Sequence, residues 1–179
     1  MPVITTPIEG LIVIEPRVFA DDRGYFFESF NARSFALETG LDAHFVQDNQ
    51  AQSARGVLRG LHFQTGASAQ AKLVRVLSGE VFDVAVDLRP QSPTLGQWYG
   101  LVLSAQNKRQ LFVPRGFAHG YLVLSDTAEF FYKCDNYYDP AAEGGLRYDD
   151  PALGINWPFP EGALLTVSDR DRKWPLFEP

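Results

Sequence analysis

The sequence predicts an all-β protein, built as a closed or sandwiched antiparallel structure. Short runs of β-forming residues recur with turn residues between them, one of these runs alternates with period two, and only one segment carries the markings of an ordinary helix. Many short strands at such spacing are what sandwiches and small barrels require.

The candidate strands are Leu11–Glu15, Gly24–Phe30, Phe45–Ala51, Leu58–Gln64, Lys72–Leu77, Glu80–Leu88, Trp98–Leu103, Lys108–Val113, His119–Leu124 and Glu129–Tyr137. Gly79, Pro90, Pro93, Gly96, Pro114 and Gly116 punctuate them. In Glu80–Leu88, Phe82, Val84, Val86 and Leu88 fall on one face and Asp83 and Asp87 on the other. The helix is expected over Ala32–Thr39, capped by Asn31 and closed by a left-handed Gly40. The C-terminal third is rich in Pro, Gly and Asp. There irregular structure is expected, with a short helix around Asp149–Leu153.

At 179 residues the chain is long enough for one well-buried domain and short for two, so residues 1–179 read as a single unit. Aromatics are high at 13%, which suits a β-rich core or a cleft that stacks on a ring. The net charge of -6, with no long basic run, argues against nucleic acid as a partner. It does not argue against an anionic small molecule, which a few placed Arg and Lys can hold. Cys134 is the only cysteine, so no intrachain disulfide forms. No apolar run approaches the roughly 20 residues of a membrane span. The N-terminus lacks the basic and apolar regions of a signal peptide. No membrane association and a cytoplasmic location are therefore expected.

Two segments carry candidate chemistry. In Val57–Gln64, strand parity puts Gly60, His62 and Gln64 on one face. In Phe112–Gly120, a Pro is followed by Gly two residues later and by His119 three residues after that, leading into an apolar strand. This second pattern is similar to the second motif of the cupin superfamily, and the similarity implies a cupin-type jelly-roll β-barrel with a few short peripheral helices. Metal-binding cupins carry two His and a Glu in the first motif. Here Gln64 stands two after His62, and Ser68 and Ala69 stand where the Glu is expected. His62 and His119 alone fall short of the three or four protein ligands of a stable transition-metal site. Neither a metal nor another cofactor is expected, and the histidines are free for proton transfer.

With both motifs placed, the sequence closely resembles the dTDP-4-dehydrorhamnose 3,5-epimerase family. The matching stretches include Glu15–Phe19, Asp22–Gly24, Phe45–Asn49, Val57–Gln64, Gly79–Asp87, Phe112–Tyr121, Tyr132–Cys134, Asn136–Tyr138 and Gly154–Pro158, in the family's order through nearly the whole chain. The resemblance implies a dTDP-4-keto-6-deoxy-sugar substrate, in dTDP-rhamnose biosynthesis, whose C3 and C5 protons are acidified by the C4 ketone. It implies His62 as the base, since neutral imidazole suits that role near neutral pH. Tyr132 is implied as the acid and Asp171 as the partner that orients His62, with Asp169 close enough to compete for that place. Lys72 is carried over as a cation that binds substrate and polarises the C4 oxygen. The family's substrate contacts fall on Arg23, Glu28, Gln47, Asp48, Asn49, Arg59, His119, Glu143 and Arg170. Tyr138 matches the residue that stacks on thymine. Arg23 and Arg59 are the expected diphosphate ligands, because guanidinium matches phosphate with paired donors. By parity alone, Asp83 is a candidate partner for His119.

Family members are homodimers with exchanged strands, and a homodimer is expected here. Related readings are a mono-epimerase acting at C3 or C5 only and a ketoisomerase. A metal-dependent cupin and a non-catalytic sugar-nucleotide-binding module are the more distant ones.

Overall fold

The computed structural model describes residues 2–178. Its strands in chain order are β1 (Val3–Thr5), β2 (Ile12–Ile14), β3 (Phe19–Asp21), β4 (Gly24–Phe26), β5 (Gln47–Ala54), β6 (Leu58–Gln64), β7 (Lys72–Ser78), β8 (Glu80–Asp87), β9 (Trp98–Ser104), β10 (Gln110–Val113), β11 (Phe117–Val123), β12 (Thr127–Cys134) and β13 (Glu143–Gly145). One α-helix, α1 (Ala32–Thr39), precedes β5.

Two antiparallel sheets form the body. One has six strands in the order β1-β2-β10-β7-β12-β5; the other has five in the order β13-β6-β11-β8-β9. The interleaved order is that of a jelly roll, in which consecutive strands cross between sheets. A third, two-stranded ribbon pairs β3 with β4.

The core follows from strand parity. Val74 and Val76 of β7 and Phe130 of β12 face Val81 and Ala85 of β8 and Tyr121 and Val123 of β11, in one buried cluster between the sheets. The opposite faces are covered too. Val84 and Val86 of β8 and Leu58 and Leu61 of β6 pack under Leu146, Leu153, Trp157 and Val167 of the C-terminal third. The irregular C-terminal chain is therefore a lid of apolar side chains over the five-stranded sheet. Phe35 of α1 does the same for Ile12, Ile14 and Phe112 of the six-stranded sheet.

The helix forms where expected. The Asn31 side chain accepts from the Ser34 N–H, and Gly40 closes the helix at φ 71°. No helix forms at Asp149–Leu153. That segment is a run of turns in which the Asp150 carboxylate accepts from the Ala152 N–H at 2.7 Å and also takes the Phe177 N–H. Asp competes with helix by bonding its own neighbouring backbone. The alternating strand β8 also departs from a half-solvated face: Asp83 and Asp87 are fully buried, because their side of the strand is the interior of the sandwich.

Candidate active site

One end of the sandwich interior is polar. A cleft of about 290 Å³ opens there, lined by His62, Lys72, His119, Phe130, Tyr132 and Glu143 among others. Parity explains the lining. Lys72 lies two residues before the inward Val74, and Tyr132 two after the inward Phe130. His119 and Tyr121 alternate inward along β11, opposite Ala85 and Asp83 of β8.

Strict parity fails on β6, and the failure matters. Its register with β11 pairs His62 with His119 but Arg59 with Tyr121, so three steps on β6 oppose two on β11. This bulge lets Arg59 and His62 line the same cleft, which simple alternation forbids. Gly60 makes the bulge possible. It sits at φ 128°, and a Cβ there would lie 2.6 Å from the Gly120 Cα.

Each of the two histidines in the cleft has its own carboxylate. His62 Nε2 lies 2.7 Å from Asp171 Oδ1. Asp171 is buried, accepts from the Gly60 N–H at 3.3 Å, and donates its own N–H to Ser168 Oγ at 3.0 Å. Asp169, the competing carboxylate, is exposed. Burial pushes the Asp171 carboxyl up, but the bonds from His62, Gly60 and Ser168 outweigh it and hold the group below its ordinary range. His119 Nε2 lies 2.9 and 3.0 Å from the two oxygens of Asp83. Asp83 is thus a buried partner and not a solvated surface acid.

Burial also raises the Tyr132 hydroxyl to about 12, so it stays protonated across the physiological range. The same desolvation lowers Lys72, whose Nζ sits 6.0 Å from the Tyr132 ring centroid. At the rim, Glu143 Oε2 accepts from the Tyr138 hydroxyl at 2.8 Å and from Arg170 at 2.7 Å. Gln47 accepts from the Tyr138 N–H at 3.1 Å and donates to Asn49 at 3.0 Å. Arg59 donates through Nε to Ser53 Oγ at 3.0 Å.

Three expected contacts lie elsewhere in this chain. Asp48 alternates to the outer face of β5, where it pairs with Lys133 at 2.9 Å. Arg23 sits in the exposed β3–β4 ribbon, paired with Asp21. Glu28 is exposed and accepts from Asn31 at 3.0 Å. Sequence reading did not single out Ser168, Ser53 or Trp174. Only Ser168 carried a signal, since Ser three residues before Asp is a local side-chain-to-backbone spacing. Among the described residues, no group of three or more His, Cys, Asp and Glu side chains is gathered as a metal ion would need. No described helix is long and apolar enough to cross a membrane.

This architecture has close counterparts. The family model described as dTDP-4-dehydrorhamnose 3,5-epimerase matches residues 5–179. A dTDP-4-dehydrorhamnose 3,5-epimerase of Salmonella typhimurium is 54% identical over 178 residues, spanning 99% of this chain and 96% of that one. The crystal structure of the Elizabethkingia anophelis dTDP-4-dehydrorhamnose 3,5-epimerase superposes with a TM-score of 0.94 at 53% identity, covering 99% of this chain and 96% of that one. A Legionella pneumophila 3,5-epimerase, solved with dTDP-4-keto-L-rhamnose, gives 0.93 at 50% identity over 98% and 92%. On sequence and fold together, the chain belongs to the dTDP-4-dehydrorhamnose 3,5-epimerase family and is an isomerase.

Proposed function

We propose that this enzyme inverts C3 and C5 of dTDP-4-keto-6-deoxyglucose, giving dTDP-4-keto-L-rhamnose, with His62 as base and Tyr132 as acid. The observation that carries the reading is their placement. His62 stands on β6 of the five-stranded sheet and Tyr132 on β12 of the six-stranded sheet, and both line one cleft. A ring held between the sheets meets one group on each face.

The chemistry proceeds in balanced steps. Asp171 holds Nε2 of His62, which leaves Nδ1 to take the proton from the carbon beside the ketone. The C–H electron pair passes into the ring as an enolate, with charge on the C4 oxygen. Lys72 is the cation placed to meet that charge, and its desolvation strengthens the interaction. The Tyr132 hydroxyl then protonates the same carbon from the opposite face. Even raised to about 12, a phenol is a stronger acid than a carbon beside a ketone, so this transfer runs downhill. Solvent takes the proton from His62 and restores the one on Tyr132 before the second carbon reacts.

The diphosphate and base of the substrate exceed the enclosed volume, so they lie across the rim. Arg59, Arg170, Gln47, Asn49 and His119 are the binding groups from this chain, and Tyr138 is the stacking surface. Arg23 and Glu28 would serve a neighbouring copy. The exposed ribbon supports that view: Phe19, Tyr25 and Phe26 are 51%, 61% and 70% exposed. Strand β5 is also an edge, paired with β12 on one side only. A two-fold homodimer that buries these features is part of the proposal. So is a cytoplasmic location, in keeping with a free, buried Cys134. The test is turnover of His62→Ala and Tyr132→Phe. Each is expected to lose ~10² to 10⁴-fold in kcat without unfolding. Near-normal turnover in His62→Ala refutes the base.

A further inference from the structure

We infer that Trp174 is a positioning residue for the His62–Asp171 pair, an inference that rests on the reading of His62 as the base. Trp174 follows the short 3₁₀ turn Asp171–Lys173 that carries the carboxylate. Its ring meets the His62 imidazole edge-on, with centroids 6.4 Å apart at 70°. The same ring packs on Gly145, the β13 residue in register with His62. A Cβ at Gly145 would lie 2.4–2.5 Å from three indole atoms, so this glycine is the floor on which the indole rests. One side chain therefore touches the base, abuts the strand paired with the base, and anchors the turn that presents Asp171.

The indole N–H is buried and has no hydrogen-bond partner among the described residues. The ring's contacts with the imidazole and with the bare backbone of Gly145 are contacts of shape. That makes a sharp prediction: another flat ring can do the work, and an aliphatic group cannot. Arg170 lies 5.9 Å over the same ring, but its ion pair with Glu143 fixes it independently. Loss of the indole should thus leave substrate binding nearly intact and misplace the base. A shift of about 1 Å in a reacting group can cost on the order of 100-fold in rate.

The experiment measures kcat and KM for Trp174→Phe, Trp174→Leu and Gly145→Ala, with His62→Ala alongside and melting temperatures recorded. Trp174→Phe is expected to stay within about threefold of the parent. Trp174→Leu and Gly145→Ala, one removing the ring and the other displacing it, should each lose on the order of 10- to 100-fold in kcat with KM little changed. Trp174→Leu added to Asp171→Asn should be no slower than Asp171→Asn alone, because both act through His62. Parent-like kcat in both folded Trp174→Leu and Gly145→Ala overturns the inference, as does an additive double variant. If Trp174→Leu fails to fold, Gly145→Ala decides. Activity retained in His62→Ala would instead overturn the assignment of the base, which separates the two failures.

Discussion

Asp171 Oδ1 stands 2.7 Å from Nε2 of His62, although 109 positions separate the two residues in the chain. The C-terminal segment covers the outer face of the five-stranded sheet and carries the turn that delivers this carboxylate. The covering of that sheet and the setting of His62 are thus one piece of structure. Asp171→Asn should keep the fold but lose the orientation of the imidazole, with kcat falling ~10² to 10⁴-fold and KM changing little. Steady-state kinetics on the folded variant check this. An unchanged kcat would detach Asp171 from the mechanism.

Lys72 and Tyr132 predict the alkaline side of the rate profile. Both must be protonated to act as described. Burial lowers Lys72 below its ordinary value and raises Tyr132 to about 12, so lysine titrates first as pH rises. Activity is expected to fall through an apparent pKa below the usual ~10.4 of lysine. In Lys72→Met the residual activity should lose that limb. A limb that persists in Lys72→Met would show that another group sets it.

Asp87 predicts acid sensitivity of the fold. It is fully buried, and bonds from Arg89, Ser92 and Thr94 overcome burial and hold its carboxyl far below the ordinary range. A depressed carboxylate contributes fully above the unfolded pKa of ~3.9, and its contribution is lost as pH falls through the lower folded value. Stability of the parent should therefore decline below about pH 4. Asp87→Ala should cost about 2–4 kcal/mol at neutral pH, less than a fully buried pair because Arg89 keeps 31% of its side chain exposed. Urea unfolding at pH 7 and at about pH 2 measures both effects, and the variant should show the smaller change between them.

Phe35 predicts how far α1 matters to stability alone. It is 1% exposed and meets Phe112 at 5.3 Å between ring centroids and Phe30 at 5.9 Å. Phe35→Ala should cost about 3–5 kcal/mol and Asn31→Ala, the cap, about 1 kcal/mol. Both variants should keep parent kinetics wherever they remain folded, because α1 covers the outer face of the six-stranded sheet.

Arg23 predicts the role of a second copy. The chain is expected to run as a dimer by light scattering, and Arg23→Ala to raise KM with little change in kcat. A monodisperse monomer of full activity would contradict the shared site.

Much of this was legible in the sequence, for local reasons. Asn31 and Gly40 bracket α1 because capping chemistry is written in two side chains. Lys72 and Tyr132 enter the cleft because period-two alternation carries them there. The rest depends on pairing at a distance. Strands β1, β3 and β13 have three residues each, too few to show a pattern, and β13 is mostly glycine. The β6 bulge that puts Arg59 beside His62 exists only against β11. Asp48 points outward because β5 pairs Asn49 with the inward Tyr132 and Asp48 with Lys133, a register its own sequence does not reveal. Trp174 gave no signal, since nothing local says which ring its indole meets.

The most direct measurement is proton NMR of dTDP-4-keto-6-deoxyglucose incubated with the enzyme in deuterated water. Two carbons flank the ketone, and inversion at each must exchange its hydrogen with solvent. Deuterium is expected at both C3 and C5 with the parent and at neither with His62→Ala. Deuterium at one carbon alone would contradict the double inversion, and full incorporation by His62→Ala would contradict the imidazole as base.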